Sequence, residues 1–240
     1  MFSCLRLPKV LDLFLSIVYN TPCGFAVKYA PHPEWGRQQE EFNMKSKNSE
    51  RTKRMVVLSL LSAIIVVLQI ICTFIKFGPF SITLALAPII IGAAIYGPRA
   101  GGFLGFVFSL VVIVTGLLGW DGGTVLYLMS INWLATVLIV LIKGTAAGFA
   151  AGAVYNLLAK KSKLGAVITA GVVCPVVNTG LFIIGMSLCF LSVLESWAGG
   201  EALVYYIIFG LTGINFLVEL AVNMVLSSGI VRIIKAGKSV

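Results

Sequence analysis

The sequence predicts an all-α, polytopic membrane protein: six transmembrane helices in a compact bundle, with both termini cytoplasmic. Composition is the first of three observations behind this. Of 240 residues, 59% are hydrophobic and only 11% charged, whereas about a quarter of a soluble domain is charged. The second is mean hydropathy, +1.02 over the whole chain. The third is charge placement. Eighteen Lys+Arg face nine Asp+Glu, yet the only acids between Met55 and Val231 are Asp121, Glu195, Glu201 and Glu219. The basic excess lies on the flanks and in short loops, which suits anchoring of membrane spans and not the continuous basic surface that nucleic acid needs.

A hydrocarbon core about 30 Å thick takes about 20 helical residues. Residues 1–43 supply no such run. Their one apolar stretch, Val10 to Tyr19, is interrupted by Asp12, and four of the eight prolines (Pro8, Pro22, Pro31, Pro33) fall here. A signal peptide reading lacks a small-residue cleavage site before Cys23. Met44-Lys45-Ser46-Lys47 reads instead as a fresh basic start, and codons for Gln39–Asn43 can carry a ribosome-binding sequence about eight nucleotides before Met44. Residues 1–43 are therefore expected to be translated upstream sequence or a disordered segment. Residues 44–54 form a basic cytoplasmic N-terminus, and 55–240 the membrane domain.

The first span is Met55 to Ile75, bounded by Lys53-Arg54 and Lys76-Phe77-Gly78-Pro79. The second, Ile82 to Tyr96, is short and broken by Pro88, and Gly97-Pro98-Arg99 ends it. A third covers Ala100 to Leu118. Gly119-Trp120-Asp121-Gly122-Gly123 marks a loop, followed by a short interfacial segment up to Ile131. The fourth runs from Asn132 to Leu158, the fifth from Gly165 to Leu191, and the sixth from Ala202 to Ile230. With the N-terminus inside, the inner ends carry Lys45, Lys47, Arg51, Lys53, Arg54, Arg99, Lys160, Lys161, Lys163, Arg232, Lys235 and Lys238, and the outer loops carry Lys76 alone. This is the positive-inside pattern.

Several chemistries find no support. The five cysteines lack CxxC spacing and the single histidine, His32, lies outside the hydrophobic region, so a zinc site or disulfide framework is not expected. No GxxxxGK[ST] is present, and any use of ATP must come from a partner. HExxH, GxSxG and Cys/His pairings are also missing, which argues against an enzyme.

Polar residues at membrane depth stand out. At about 1.5 Å per residue, Lys143 lies roughly 16 Å from the outer end of the fourth span. Asn178 sits near the middle of the fifth. Asn215, Glu219 and Asn223 share one face of the sixth by their i, i+4, i+8 spacing. A charge at the bilayer centre costs at least about 2.5 kcal/mol, so Lys143 and Glu219 must face protein or a cavity. Two readings stay open: a Lys143–Glu219 pair that neutralises both, or a polar pocket. In the pocket Lys143 meets a ligand carboxylate while Asn178, Asn215 and Glu219 bond amide or hydroxyl groups. Trp120, Asp121, Tyr127, Asn132 and Trp133, with Trp197 and Tyr205, either form a lid that stacks on the ligand or act as interfacial anchors. Gly144, Gly148 and Gly152 have GxxxG spacing, which points to tight helix packing inside the bundle. Gln69 and Asn156 read as interhelical hydrogen-bond partners, and Cys72, Cys174 and Cys189 as small packing residues.

Ile82-Thr-Leu-Ala-Leu-Ala-Pro88-Ile-Ile-Ile-Gly92-Ala-Ala-Ile-Tyr96-Gly97-Pro98-Arg99-Ala-Gly101-Gly102-Phe-Leu-Gly105, with Lys143-Gly144-Thr-Ala-Ala-Gly148-Phe-Ala-Ala-Gly152 and Cys174-Pro175-Val-Val-Asn178-Thr179-Gly180, resembles the substrate-binding S component of energy-coupling factor (ECF) transporters. The likeness runs from about Met44 to the C-terminus and is greatest to the branch for folate, pantothenate and riboflavin. It implies a non-enzymatic receptor in the bacterial plasma membrane that captures a water-soluble vitamin and topples to release it inward. Pantothenate or folate is favoured, since Lys143 could meet their carboxylates. The resemblance further implies a transmembrane scaffold subunit and two cytosolic ATPases as partners, with no cofactor in this chain. The family's Ala-xxx-Ala docking signature has its nearest equivalent in Ser59-xxx-Ala63, with Ser62 alongside; serine departs from the pattern but keeps the surface small. A self-sufficient carrier or channel, or a membrane enzyme, are the alternatives.

Overall fold

The computed structural model describes residues 33–74, 76–77, 80–81, 84–213 and 216–225. The chain divides into two units at Ser49/Glu50. Within the first, the described residues are the opening stretch of helix α1 (Pro33–Thr73); everything below concerns the second. Asn215 falls outside the described residues.

Helices make up nearly all of the described chain. After α1 come a two-residue antiparallel pair, β1 (Lys76–Phe77) and β2 (Phe80–Ser81), then α2 (Leu86–Tyr96), α3 (Pro98–Leu117), α4 (Thr124–Leu158), α5 (Lys163–Cys189), α6 (Leu191–Ala198) and α7 (Leu203–Tyr205). A π-helical turn follows at Tyr206–Gly213, then an apolar helix, α8 (Phe216–Val225). Four described helices are long and apolar enough to cross a membrane: Ser49–Thr73 within α1, α3, α4 and α5. Helices α2 and α8 are apolar but shorter.

The second predicted span is corrected in length and in the role of its proline. Helix α2 has 11 residues, about 16 Å. Pro88 does not break it, because it sits in the first turn, where no intrahelical N–H bond is lost. So short a helix is tolerated at membrane depth because protein encloses it: Leu86, Ile89, Ile90, Ala93 and Ala94 are all buried. All but Ala93 join the main core with Leu61 and Ile65 of α1, Leu104 and Phe108 of α3, Ala147, Ala151 and Tyr155 of α4, and Ala166, Val167, Ala170 and Cys174 of α5. The chain turns from α2 to α3 at one residue, Gly97, whose φ of 86° excludes most other side chains. Pro98 then opens α3 in the position proline favours.

Helices α3 and α4 touch backbone to backbone. A Cβ on Gly101 would strike the Gly148 carbonyl oxygen, one on Gly105 the Gly144 carbonyl oxygen, and one on Gly152 the Pro98 Cα at 2.7 Å. The three α4 glycines thus pack within the chain, as their spacing predicts.

The interfacial segment and the fourth predicted span form one kinked element. Its 35 residues would measure about 52 Å if straight. Asn132 breaks the run with φ −151° and ψ 92°. Its Oδ1 accepts from Ala135 N at 3.1 Å, and its carbonyl accepts from Thr136 Oγ1 at 2.9 Å. Upstream, the two carboxylate oxygens of Asp121 accept from Gly123 N and Val125 N at 3.0 and 2.8 Å, capping the start of α4.

Ser162 Oγ caps α5 by accepting from Gly165 N at 3.2 Å. Inside α5, Pro175 cannot donate to the carbonyl of Gly171 four residues earlier. Phe190 ends α5. It joins Leu128, Met186, Val193 and Leu194 in a second, smaller core at the opposite end of the bundle from Tyr155, with Trp197, Leu203, Tyr206 and Ile207 against it. Within the sixth predicted span, the described residues form a short helix, a π-helical stretch and α8. Cys72 and Cys174 are buried, as packing residues should be, but Cys189 is exposed.

Candidate functional site

Polar groups collect where α4, α5 and α8 meet. Glu219 and Asn178 are each 5% exposed and Asn223 is 2% exposed. Glu219 and Asn223 stand one turn apart on α8, and Cys174, Asn178 and Phe182 stand one turn apart along α5. Lys143 of α4 reaches this stripe with its Nζ over the Phe182 ring, 4.6 Å from the centroid, a distance at which a cation is drawn to the ring face. Glu219 and Lys143 are near enough to interact electrostatically. Among the described residues, however, Glu219 Oε1 and Asn178 Oδ1 accept no hydrogen bond. Burying such atoms unmatched is costly, most of all for a carboxylate.

The residues expected at the outer rim are placed differently. Asn132 is exposed and uses its side chain to cap the helix after the kink. Trp133 is 66% exposed on the helix exterior. Trp120 packs on Phe74 with centroids 5.8 Å apart, and Tyr127 on Trp197 at 6.3 Å. Tyr205 packs on Phe209 at 4.8 Å. None of these ring pairs includes Lys143 or Glu219.

On α1, Ser59 and Ala63 are exposed, and Ser62 is half-buried. Their neighbours Val56, Leu60, Ile64 and Val67 are exposed as well. A continuous outward apolar strip with small residues in it results.

Phe182 went unremarked in the sequence, and Gln69 has more to it than its spacing suggests. Phe182 lies four residues beyond Asn178, so helical periodicity alone placed it on the same face; an aromatic residue in a hydrophobic span gave no further sign. Gln69 was read only as a helix–helix partner. It is buried, its carbonyl accepts from Thr73 Oγ1 at 2.7 Å, and its Oε1 has no partner among the described residues.

A family model for the substrate-specific component of ECF transporters matches residues 53–231. The chain belongs to that family. The match takes in every membrane-depth polar residue named above and the Ser59–Ala63 strip of this S component. It assigns the chain to substrate recognition in an ECF importer and leaves the solute open. Among curated proteins none matches the S component closely enough to refine this.

Proposed function

We propose that this S component is the receptor for a water-soluble vitamin or related micronutrient bearing a carboxylate. Pantothenate and folate are the vitamins whose carboxylates suit Lys143. The observation that carries the reading is the pairing of unmatched acceptors with a cation at one depth. Lys143 rests on an aromatic face, while Glu219 Oε1 and Asn178 Oδ1 have no partner among the described residues. A closed Lys143–Glu219 ion pair would have satisfied Glu219 Oε1 internally and still left Asn178 Oδ1 unmet. In this reading Lys143 takes the ligand carboxylate, and Asn178, Asn215 and Glu219 bond its remaining polar groups. The exposed Trp133 and Trp120 fit membrane anchoring better than stacking.

The topology we favour has six spans with both termini on the cytoplasmic side of a bacterial plasma membrane. Arg54 lies 5.7 Å from the Tyr96 ring centroid, which puts the start of the first span beside the end of α2. Gly152 lies against Pro98, which brings the basic end of α4 to the same side. Arg54, Arg99, Lys160 and Lys161 thus gather at one end of the second unit, and the Phe74–Trp120 pair lies toward the end of α1 remote from Arg54. Ser59, Ser62 and Ala63 are the docking face for a transmembrane scaffold subunit, which with two ATPases drives toppling and inward release. This chain performs no catalysis of its own.

Binding is tested by calorimetry on the purified protein with pantothenate and folate. Replacing Lys143 with Met is expected to abolish tight binding; an unchanged Kd refutes the pocket. In proteoliposomes the chain alone is expected to bind without transporting, and ATP-independent uptake would favour the self-sufficient carrier. Intact mass measurement of natively expressed protein is expected to find Met44 as the first residue, and a peptide from residues 1–43 would refute that start.

A further inference from the structure

We infer that the start of helix α2, with Gln69 facing it, is a seat for an oxyanion in the same layer as Lys143. The inference rests on the receptor reading above, in which Lys143 takes one carboxylate. The seat takes a second oxyanion: another carboxylate of the solute, or a free inorganic anion bound beside it.

Helix α2 begins inside the protein. The first N–H groups of any helix have no partner within it, and here they belong to Leu86 and Ala87, which are 0% and 6% exposed. Pro88, next in line, has no N–H. Among the described residues no side chain caps this turn, and no acid stands in it. Buried N–H groups in that state are costly, and together they carry the partial positive charge of the helix terminus. An anion answers both. Helices that start part-way through a membrane protein meet anionic groups in this manner.

Two contacts fix what lies opposite. A Cβ on Gly92 would meet Leu61 Cδ1 at 3.2 Å, and Arg54 lies over the Tyr96 ring, so α1 and α2 run antiparallel with Leu61 level with Gly92. Gln69 follows Leu61 and Ile65 on the same face of α1, about 12 Å along the axis from Leu61. Leu86 is only about 9 Å from Gly92 in that direction. Gln69 therefore stands about 3 Å beyond the first turn of α2, where a bound anion lies. It is 3% exposed, and its Oε1 has no partner among the described residues. Turned over, the same amide donates from Nε2. Leu86, Ala87 and Gln69 then supply three donors, which suits two oxygens better than a single sphere.

Helix α4 brings Lys143 to this layer. A Cβ on Gly148 would meet Ile89 Cγ2 at 3.0 Å, and α2 and α4 both run antiparallel to α3, hence parallel to each other. Lys143 is about 7.5 Å from Gly148 along α4, and Leu86 about 4.5 Å from Ile89 along α2. Lys143 thus also stands about 3 Å beyond the α2 terminus, but its ammonium is turned to Phe182 of α5. The seat is a separate point at equal depth.

The test uses the purified full-length chain. Acetate and inorganic phosphate are titrated against chloride at constant ionic strength while thermal unfolding and amide hydrogen exchange are read. A saturable rise of about 3 °C is expected with either oxyanion, with exchange at Leu86 and Ala87 slowed about tenfold. Gln69→Leu is expected to remove the rise. Should that variant fail to fold, the exchange of the two amides in the wild-type chain decides alone. Folate, which has two carboxylates, protecting both amides without added anion assigns the seat to the solute. Protection that needs acetate or phosphate assigns it to a free anion. If acetate, phosphate and folate leave both amides and the unfolding midpoint as in chloride, the seat is overturned; solute binding lost in Lys143→Met would still uphold the receptor. Conversely, anion protection without binding of any vitamin would uphold the seat and sink the receptor reading.

Discussion

The two faces of α4 are built on opposite principles. One face is bare: Gly144, Gly148 and Gly152 let α3 approach until backbone meets backbone. The other carries Lys143, next in sequence to Gly144, out to α5, where its ammonium lies over the Phe182 ring. On the first face an atom added at any of the three glycines collides. On the second, buried oxygens are left without partners among the described residues. The comparison teaches that a membrane helix can be clamped on one side so that an uncompensated charge on the other is held in place. Coupled side by side on one helix, rigidity and unsatisfied polarity make a site; the polar groups alone would relax toward each other.

The sharpest way to break this comparison is to spoil the clamp. A leucine at Gly148 would drive its Cβ into the Gly101 carbonyl oxygen, which no rotamer can relieve. It is expected to cost about 3 kcal/mol or more, seen as loss of monodisperse protein on size-exclusion chromatography. Gly180→Ala, where nothing lies within 4 Å, serves as the control and is expected to leave thermal unfolding unchanged. Next in size, Lys143→Met attacks the other face. Truncating a buried charge that pairs with a ligand costs about 2–3 kcal/mol, roughly 30- to 150-fold in Kd, with thermal stability retained. A stability gain with unaltered affinity would mean that Lys143 is only a structural burden.

Smaller effects separate the site from its surroundings. Ala63→Leu on the exposed α1 strip is expected to reduce ATP-driven uptake in the assembled transporter while solute binding by the isolated chain stays within twofold. Asn132→Ala removes the cap at the kink and is expected to cost about 1 kcal/mol, detected as faster amide exchange at Ala135. Trp133→Ala, on the exterior, is expected to change Kd by less than about twofold; a larger loss would move Trp133 from the membrane boundary into the binding surface.

Helix type and approximate span positions were legible because long apolar runs and Gly/Pro punctuation are local signals, and Gly97-Pro98 became a turn of one glycine. The glycine contact of α4 was legible too, since spacing fixes a face. What the sequence could not reveal is how neighbours alter a residue's role. Pro88 looked like a breaker and is a first-turn proline. Asn132 and Asp121 read as lid or anchor residues, and their capping of helices is visible only in the structure. The shared depth of Lys143, Asn178 and Glu219 followed from counting rise per residue, but the partner that Lys143 chooses, Phe182, depends on how α4 and α5 pack and leaves no trace in either segment alone.

Pro175 bears on how such a site could open. Below it, Ala166, Val167 and Ala170 are locked in the main core; above it, Asn178 and Phe182 face the polar seam. The Gly171 carbonyl has lost its usual donor, so α5 is weakest in bending just beneath the residues that would grip a solute. Its upper half is therefore an articulated arm on a fixed post. Any swing of that arm would leave the post seated and would carry Met186 and Phe190, and with them the second core, along with it.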